Sequence, residues 1–354
     1  MRSSTWKAVL CLSTVLFFTA CSRSSLPPAQ PLLAPSQQTD AAATLASSST
    51  IPMFTSSFTF DGTHRYTMVG TNPMTSPGST SIRTVIIPLK LKFLSDGVVT
   101  NPAVAESKIL ASPIFHPASF PPLPGTTQYG DAVMRSEFWK FVSTNDVQTK
   151  NYHVLLASPT ILAPITETIP IAKGAKHTSS DGVRTEAIDF LYFEENIEEP
   201  LLQLHSNPAT LTIFIMGDTR VLEPLGHCCF NGYHDAIQVA SSGPTFPALW
   251  GYVASSQPTQ LSHVSHEVAE WLNDPLYLAG VNTVPRWVAP VSPFACGSTQ
   301  LEVGDPIVNT RFTVSGFTLQ DVMFFSWFAR STPSFGIRGR YDLLGRFPRP
   351  AATC

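Results

Sequence analysis

The chain has 354 residues, a formal net charge of −3 and only 13% Asp, Glu, Lys and Arg against 43% hydrophobic residues. So near-neutral a balance, with no basic stripe, argues against nucleic acid as a partner. After the N-terminal segment enough chain remains for one large domain or two intimate ones, and no second linker or internal repeat divides it.

The first twenty residues read as an export signal. Arg2 and Lys7 precede the apolar run "AVLCLSTVLFF", which is shorter than the roughly 20 residues a membrane span needs. The run ends in "FTAC", which resembles the lipobox of bacterial lipoproteins. That resemblance implies a signal peptide over 1–20, lipidation of Cys21 and membrane attachment through that lipid. Ser22 is not the aspartate associated with inner-membrane retention, so the outer membrane is implied; an ordinary cleaved signal would instead make the protein secreted. Residues 21–50 are dominated by Ser, Ala, Pro, Gln and Thr, with Arg23 and Asp40 as charges. They bury too little apolar surface to offset their ordering entropy and read as a flexible tether to a single globular domain over 51–354. Thirty-one prolines and twenty-three phenylalanines suggest a loop-rich fold with an aromatic core.

Within the domain, "TVIIPLKLKFL" (84–94), "YHVLLAS" (152–158), "TEAIDFLYF" (185–193) and "ATLTIFIMG" (209–217) read as strands. "YGDAVMRSEFWKFVST" (129–144) reads as a helix with Asp131 as its cap, and "TLQDVMFFSWFARS" (318–331) as a buried aromatic helix. The acidic run "EENIEEP" (194–200) reads as a solvated loop, with calcium binding as the sharper alternative. Together these segments predict an α+β fold with a mixed, mainly antiparallel sheet.

Cys11 belongs to the signal and Cys21 to the lipid, which leaves Cys228, Cys229, Cys296 and Cys354 in an oxidising compartment. Four cysteines permit two disulfides. Because a bond between adjacent cysteines is strained, Cys228 and Cys229 are expected to pair separately with Cys296 and Cys354, in either combination.

The densest ionisable stretch is "LSHVSHEVAEWLNDP", residues 261–275. A helix over 257–273, with Ser255 and Ser256 as caps and Pro275 as terminator, fits it. At about 100° per residue, His263, His266, Glu267, Glu270 and Asp274 share roughly a third of the circle, opposite Val264, Val268 and Leu272. A solvated face and a metal site both fit this wheel. His266 and Glu270 have the spacing at which two helical side chains can hold one ion. Glu267 follows the first of them, where a carboxylate can act on water instead of ligating. Asp274 is an anion at the end of a helix where the dipole disfavours one, which a cation would compensate. His64, His116, His153, His205 and His227 show no ligand spacing and read as structural.

This pattern resembles the His-Glu-x-x-His helix of zinc peptidases with Glu270 in place of the second histidine. "SHEVAEWLNDP" is similar to the active-site helix of zincin-like secreted bacterial proteins and, more distantly, of the plant exordium (phosphate-induced) family. "CCFNGYHDA" and "STQLEVGDP" resemble flanking segments of those proteins, and "GTTQYGDAVMRSEFW" and "FTLQDVMFFSWF" look similar to the bacterial members. The resemblance implies a zincin-like domain with His266, Glu270 and Glu302 as metal ligands, Asp305 as the alternative third ligand and Glu267 as general base. Tyr233 or His234 would donate to the oxyanion. His263 would be an alternative ligand or a substrate contact at the rim. It implies zinc, with manganese or calcium also compatible with a carboxylate-rich site, and a protein or peptide substrate. The alternative is a non-catalytic envelope or surface-binding protein on the same scaffold.

Overall fold

The long strand Ser79–Phe93 organises the architecture, burying Ile86 through Leu89 without a break. This structure, a computed structural model, describes residues 50–143, 151–178, 182, 184–223, 228–238, 244–277, 282–291 and 296–354. The expected signal, Cys21, the tether up to residue 49 and His227 lie outside the described residues. The described residues gather into one compact unit. Among the described residues no helix is long and apolar enough to cross a membrane.

The fold is α+β, and its main sheet has seven strands. Thr210–Met216 lies parallel to one side of Ser79–Phe93. Along the other side run His153–Leu156, Thr160–Ile161 and Ile165–Ile169, all parallel. Beyond Thr210–Met216 comes Thr245–Gly251, again parallel, and then the edge strand Gly232–Gln238, which is antiparallel to it. The main sheet is therefore mainly parallel, which corrects the expectation of a mainly antiparallel one. The reason lies in burial. Leu211, Ile213 and Ile215 enter one core while Phe214 and Met216 enter the other. A strand covered on both faces carries a continuous apolar run, the mark of a parallel sheet between helices.

One face of the sheet carries the helices Tyr129–Glu137 and Ser262–Asn273. The other carries the helical run from Phe190 to His205. Smaller sheets complete the fold: the hairpin Met53–Thr59 with Thr63–Val69, the hairpin Arg311–Val314 with Phe317–Gln320, and a three-stranded set built on Arg184–Asp189.

Several expected boundaries move. The segment 318–331 is not one helix: it finishes the strand Phe317–Gln320, turns, and forms a single short helix, Phe325–Phe328. Leu319 and Val322 through Phe325 are all buried, so no periodicity survives there to distinguish strand from helix. Asp321 accepts from the backbone N–H of Val322 and of Leu344, which fixes the turn. The segment 129–144 breaks at Phe138 into Tyr129–Glu137 and Trp139–Val142. Asp131 does not cap it; its carboxylate accepts from Val154 N–H at 2.8 Å and lies 2.9 Å from His153 Nδ1, tying the helix to a strand. The acidic run is not a solvated loop. Glu194–Glu198 forms a wide π-type turn leading into the helix Glu199–His205, and Glu198 is fully buried.

The disulfides also differ from expectation. Cys296 pairs with Cys354, and Cys228 pairs with its neighbour Cys229 across a cis peptide bond. The ladder between Trp287–Val288 and Ala352–Thr353 explains the first bond, since it carries the C-terminus back beside Cys296. No disulfide joins the Cys228–Cys229 segment to that of Cys296.

Candidate metal centre

The helix Ser262–Asn273 holds the candidate site. It begins after Leu261, later than expected, because residues 255–260 form turns and Ser255 and Ser256 do not cap it. Ser265 instead fixes its first turn: its hydroxyl donates to Ser262 O and accepts from Gln320 N–H. Every residue of the helix is buried except half-buried His263. The helix thus has no solvated face, and His266, Glu267 and Glu270 are enclosed with their charges.

Two glycines allow that enclosure. A Cβ at Gly232, on the edge strand, would overlap the Glu267 carboxylate, and one at Gly304 would overlap the His266 imidazole. The backbone therefore approaches both side chains as only glycine permits. The Gly304 N–H also donates to Glu270 Oε1 at 2.9 Å.

Glu270 is the hub. His266 Nε2 lies 2.8 Å from Glu270 Oε2, one helical turn away. His234, from the edge strand, places Nδ1 3.3 Å from Glu267 Oε2 and 3.8 Å from Glu270 Oε2. Glu302, from the loop before Gly304, completes a group with His234 and Glu270. Two overlapping trios result, His234–Glu270–Glu302 and His266–Glu267–Glu270, each with one ligand atom per residue within 4.8 Å of the others. Buried imidazoles and carboxylates brought together in this way can hold a metal ion. The His234 Nε2 and Asp274 Oδ2 atoms are buried with no hydrogen-bond partner among the described residues.

The electrostatics are those of a site with surplus negative charge. Burial opposes the positive charge on His266, but Glu270 and Glu267 outweigh it and hold the imidazole well above its ordinary pKa. Burial likewise pushes Glu270 up, yet His266 and His234 prevail and bring it to about 2. Glu302 is pushed well up by burial and by Glu270, Asp305 and Asp274. Asp274 and Asp305 are each raised to about 7, burial being the first cause. Burial also raises Glu267, against the opposing pull of His266. Five carboxylates thus face two imidazoles, an imbalance that a divalent cation relieves.

The remaining sequence candidates separate clearly. Asp305 Oδ1 is 3.8 Å from His266 Nε2, at the margin of the group. Asp274 is buried beside it, its Oδ1 accepting from Asn282 Nδ2 at 2.8 Å. Tyr233 borders the cavity, but its hydroxyl donates to Glu198 and its ring packs on Phe190, Phe193 and Trp250. His263 faces a different cavity. A third group, His177 with Cys228 and Cys229, lies apart from the site, and its two sulfurs are joined to each other.

Sequence reasoning missed Tyr277 and Asn282. Tyr277 lines the cavity with its ring 5.3 Å from that of His234, and Glu302 and then burial push its phenol pKa upward. Its position just after Asp274–Pro275 was the available signal. The cavity measures about 420 Å³ and is lined by Phe230 and Tyr277 together with Glu267 and Glu270. Compared with known proteins, the chain matches no family model, no curated protein and no solved structure.

Proposed function

We propose that this protein is a metal-dependent hydrolase acting on peptide bonds, with zinc held by His266, Glu270, Glu302 and His234 and with Glu267 as general base. The observation that carries the reading is the convergence on Glu270 of buried donors from three separate segments: the edge strand, the helix and the loop at Glu302. A second imidazole, His234, makes the donor set richer in nitrogen than the helix alone provides. That favours zinc over calcium, whose ligands are oxygens. The ion would supply Lewis acidity at the scissile carbonyl. Glu267 is placed to take a proton from the attacking water and pass it to the leaving amine, with His234 orienting its carboxylate. Tyr277 borders the same cavity and can donate to the developing oxyanion.

The N-terminal pattern supports export and attachment to the outer membrane through lipid on Cys21. Mass spectrometry of the N-terminal peptide tests it, and an unmodified Cys21 in the mature protein would remove the anchor.

The central test is elemental analysis of the purified protein beside His266→Ala and Glu267→Gln. Zinc bound by wild type and by Glu267→Gln, but not by His266→Ala, is the expected result. Hydrolysis of peptides should fall by a factor of about 10² or more in Glu267→Gln. Undiminished turnover in that variant would eliminate the base. The carboxylate-rich donor set also favours a second reading, since carboxylates weaken the Lewis acidity of an ion. Zinc bound by wild type without turnover of any peptide would identify a metal-stabilised binding protein of the envelope.

A further inference from the structure

A second cavity, of about 170 Å³, lies where the helix Ser262–Asn273 begins, and it is as cationic as the first is anionic. Arg220, Tyr252, Gln257, Gln260, His263 and Arg311 line it, and among the described residues none that lines it is a carboxylate. Arg220 is built into the wall. Its guanidinium sits 4.3 Å over the Tyr252 ring, and its Nη1 donates to Asn231 Oδ1 at 2.7 Å. Its Nε is buried with no hydrogen-bond partner among the described residues. Arg311, exposed at the start of the hairpin strand Arg311–Val314, also lines the cavity. Among the described residues neither arginine is ion-paired with a carboxylate.

The rest of the wall is of the same character. The helix Ser262–Asn273 has no side-chain cap and no acidic residue in its first turn, so no carboxylate of its own offsets the positive end of its dipole. Ser262 and the two glutamines add neutral polar groups. Burial, reinforced by Arg311, His266 and Arg220, brings the His263 pKa to about 3. The imidazole is therefore neutral at physiological pH and can donate one hydrogen bond while accepting another. Arg220, with its Nε buried and no counter-ion among the described residues, faces a small polar space in which an anion would supply the missing partner.

We propose that this cavity is an oxyanion-binding site, in which Arg220 and Arg311 grip a carboxylate or phosphate group of a small ligand. Arg220 presents a pre-positioned donor edge, and Arg311 closes on the anion from the solvent side. The neutral His263 and the Ser262 hydroxyl line the same space and can complete the hydrogen bonding. The site does not depend on the metal reading, since none of the proposed metal ligands lines it.

Calorimetric titration of the full protein at low salt with inorganic phosphate, and separately with N-acetylglycine, tests the assignment. Binding of either probe is expected, weakened by added sodium chloride. Phosphate alone binding would identify a phosphorylated ligand, and N-acetylglycine alone a carboxylate ligand. Arg311 is itself exposed, so Arg311→Gln leaves the core untouched. It should weaken binding on the order of tenfold, the loss expected for one charge-assisted hydrogen bond. Arg220→Gln should do the same, with circular dichroism confirming that this more enclosed variant is folded. Failure of both probes to bind wild type would overturn the proposal. So would binding unchanged by Arg311→Gln, which would place the anion elsewhere, such as on the His266 cluster.

Discussion

His234 and Glu267 face each other across the seam between the edge strand and the site helix, Nδ1 to Oε2 at 3.3 Å, although 33 residues separate them. Gly232 makes this approach possible, because a side chain there would occupy the space of the Glu267 carboxylate. The edge strand thus shapes the candidate centre twice, with an imidazole and with a missing Cβ.

That relationship predicts the behaviour of Gly232→Ala. The added methyl must displace the Glu267 carboxylate or lift the helix, at a cost of about 1–3 kcal/mol for overpacking. Thermal unfolding should report the loss. If Glu267 is the base, peptide turnover should fall further than the reduced stability explains. An unchanged melting temperature would mean that the helix and strand are less closely packed than described.

His234→Ala separates ligand from bystander. Loss of a ligand, or of a residue that orients one, should cost at least about tenfold in zinc affinity, measured by competition with a chromophoric chelator. Wild-type affinity in this variant would return the centre to the three ligands His266, Glu270 and Glu302.

Removing the ion should destabilise the fold. Metal bound only by the native state adds about 4 kcal/mol when free metal exceeds its dissociation constant a thousandfold. Dialysis against a chelator should therefore lower the unfolding midpoint, and added zinc should restore it. The His266→Ala variant should show neither effect.

Glu137 predicts a pH dependence unconnected with the metal. It is fully buried, one oxygen accepting from Phe325 N–H and the other without a hydrogen-bond partner among the described residues. Burial raises its pKa from 4.5 to about 8. The folded chain thus keeps a proton that the unfolded chain releases near 4.5. The stabilisation is complete below that value and is lost as pH rises toward about 8. Glu137→Gln should flatten this decline, so the difference in melting temperature between variant and wild type should grow from pH 5 to pH 8. Parallel curves would refute the assignment.

The Cys296–Cys354 bond closes a loop with a sequence separation of 58. Cys354→Ser should therefore cost about 4 kcal/mol by the chain-entropy relation. Denaturant unfolding measures it, and a change below about 1 kcal/mol would indicate a bond that contributes little.

The sequence by itself determined a good part of this protein. The strands near 84–94, 152–158 and 209–217, the site helix and its His266–Glu267–Glu270 spacing were legible, because each depends on neighbours within a few residues; of the strand expected over 185–193 only the part up to Asp189 is one, since Asp189 caps the helix Phe190–Phe193. Tertiary structure alone decided what lies far apart in the chain. It set the parallel pairing of Ser79–Phe93 with Thr210–Met216, the union of Cys296 with Cys354, and the arrival of His234 and Glu302 at Glu270. It also decided that the ionisable face of the site helix is buried. A wheel places side chains around one axis and cannot report what stands opposite them. The aromatic stretch 318–331 shows the same limit, since burial on all sides erases the period from which secondary structure is read. Local spacing encodes which atoms can act together on one element; only packing determines which partners, charges and cavities they meet.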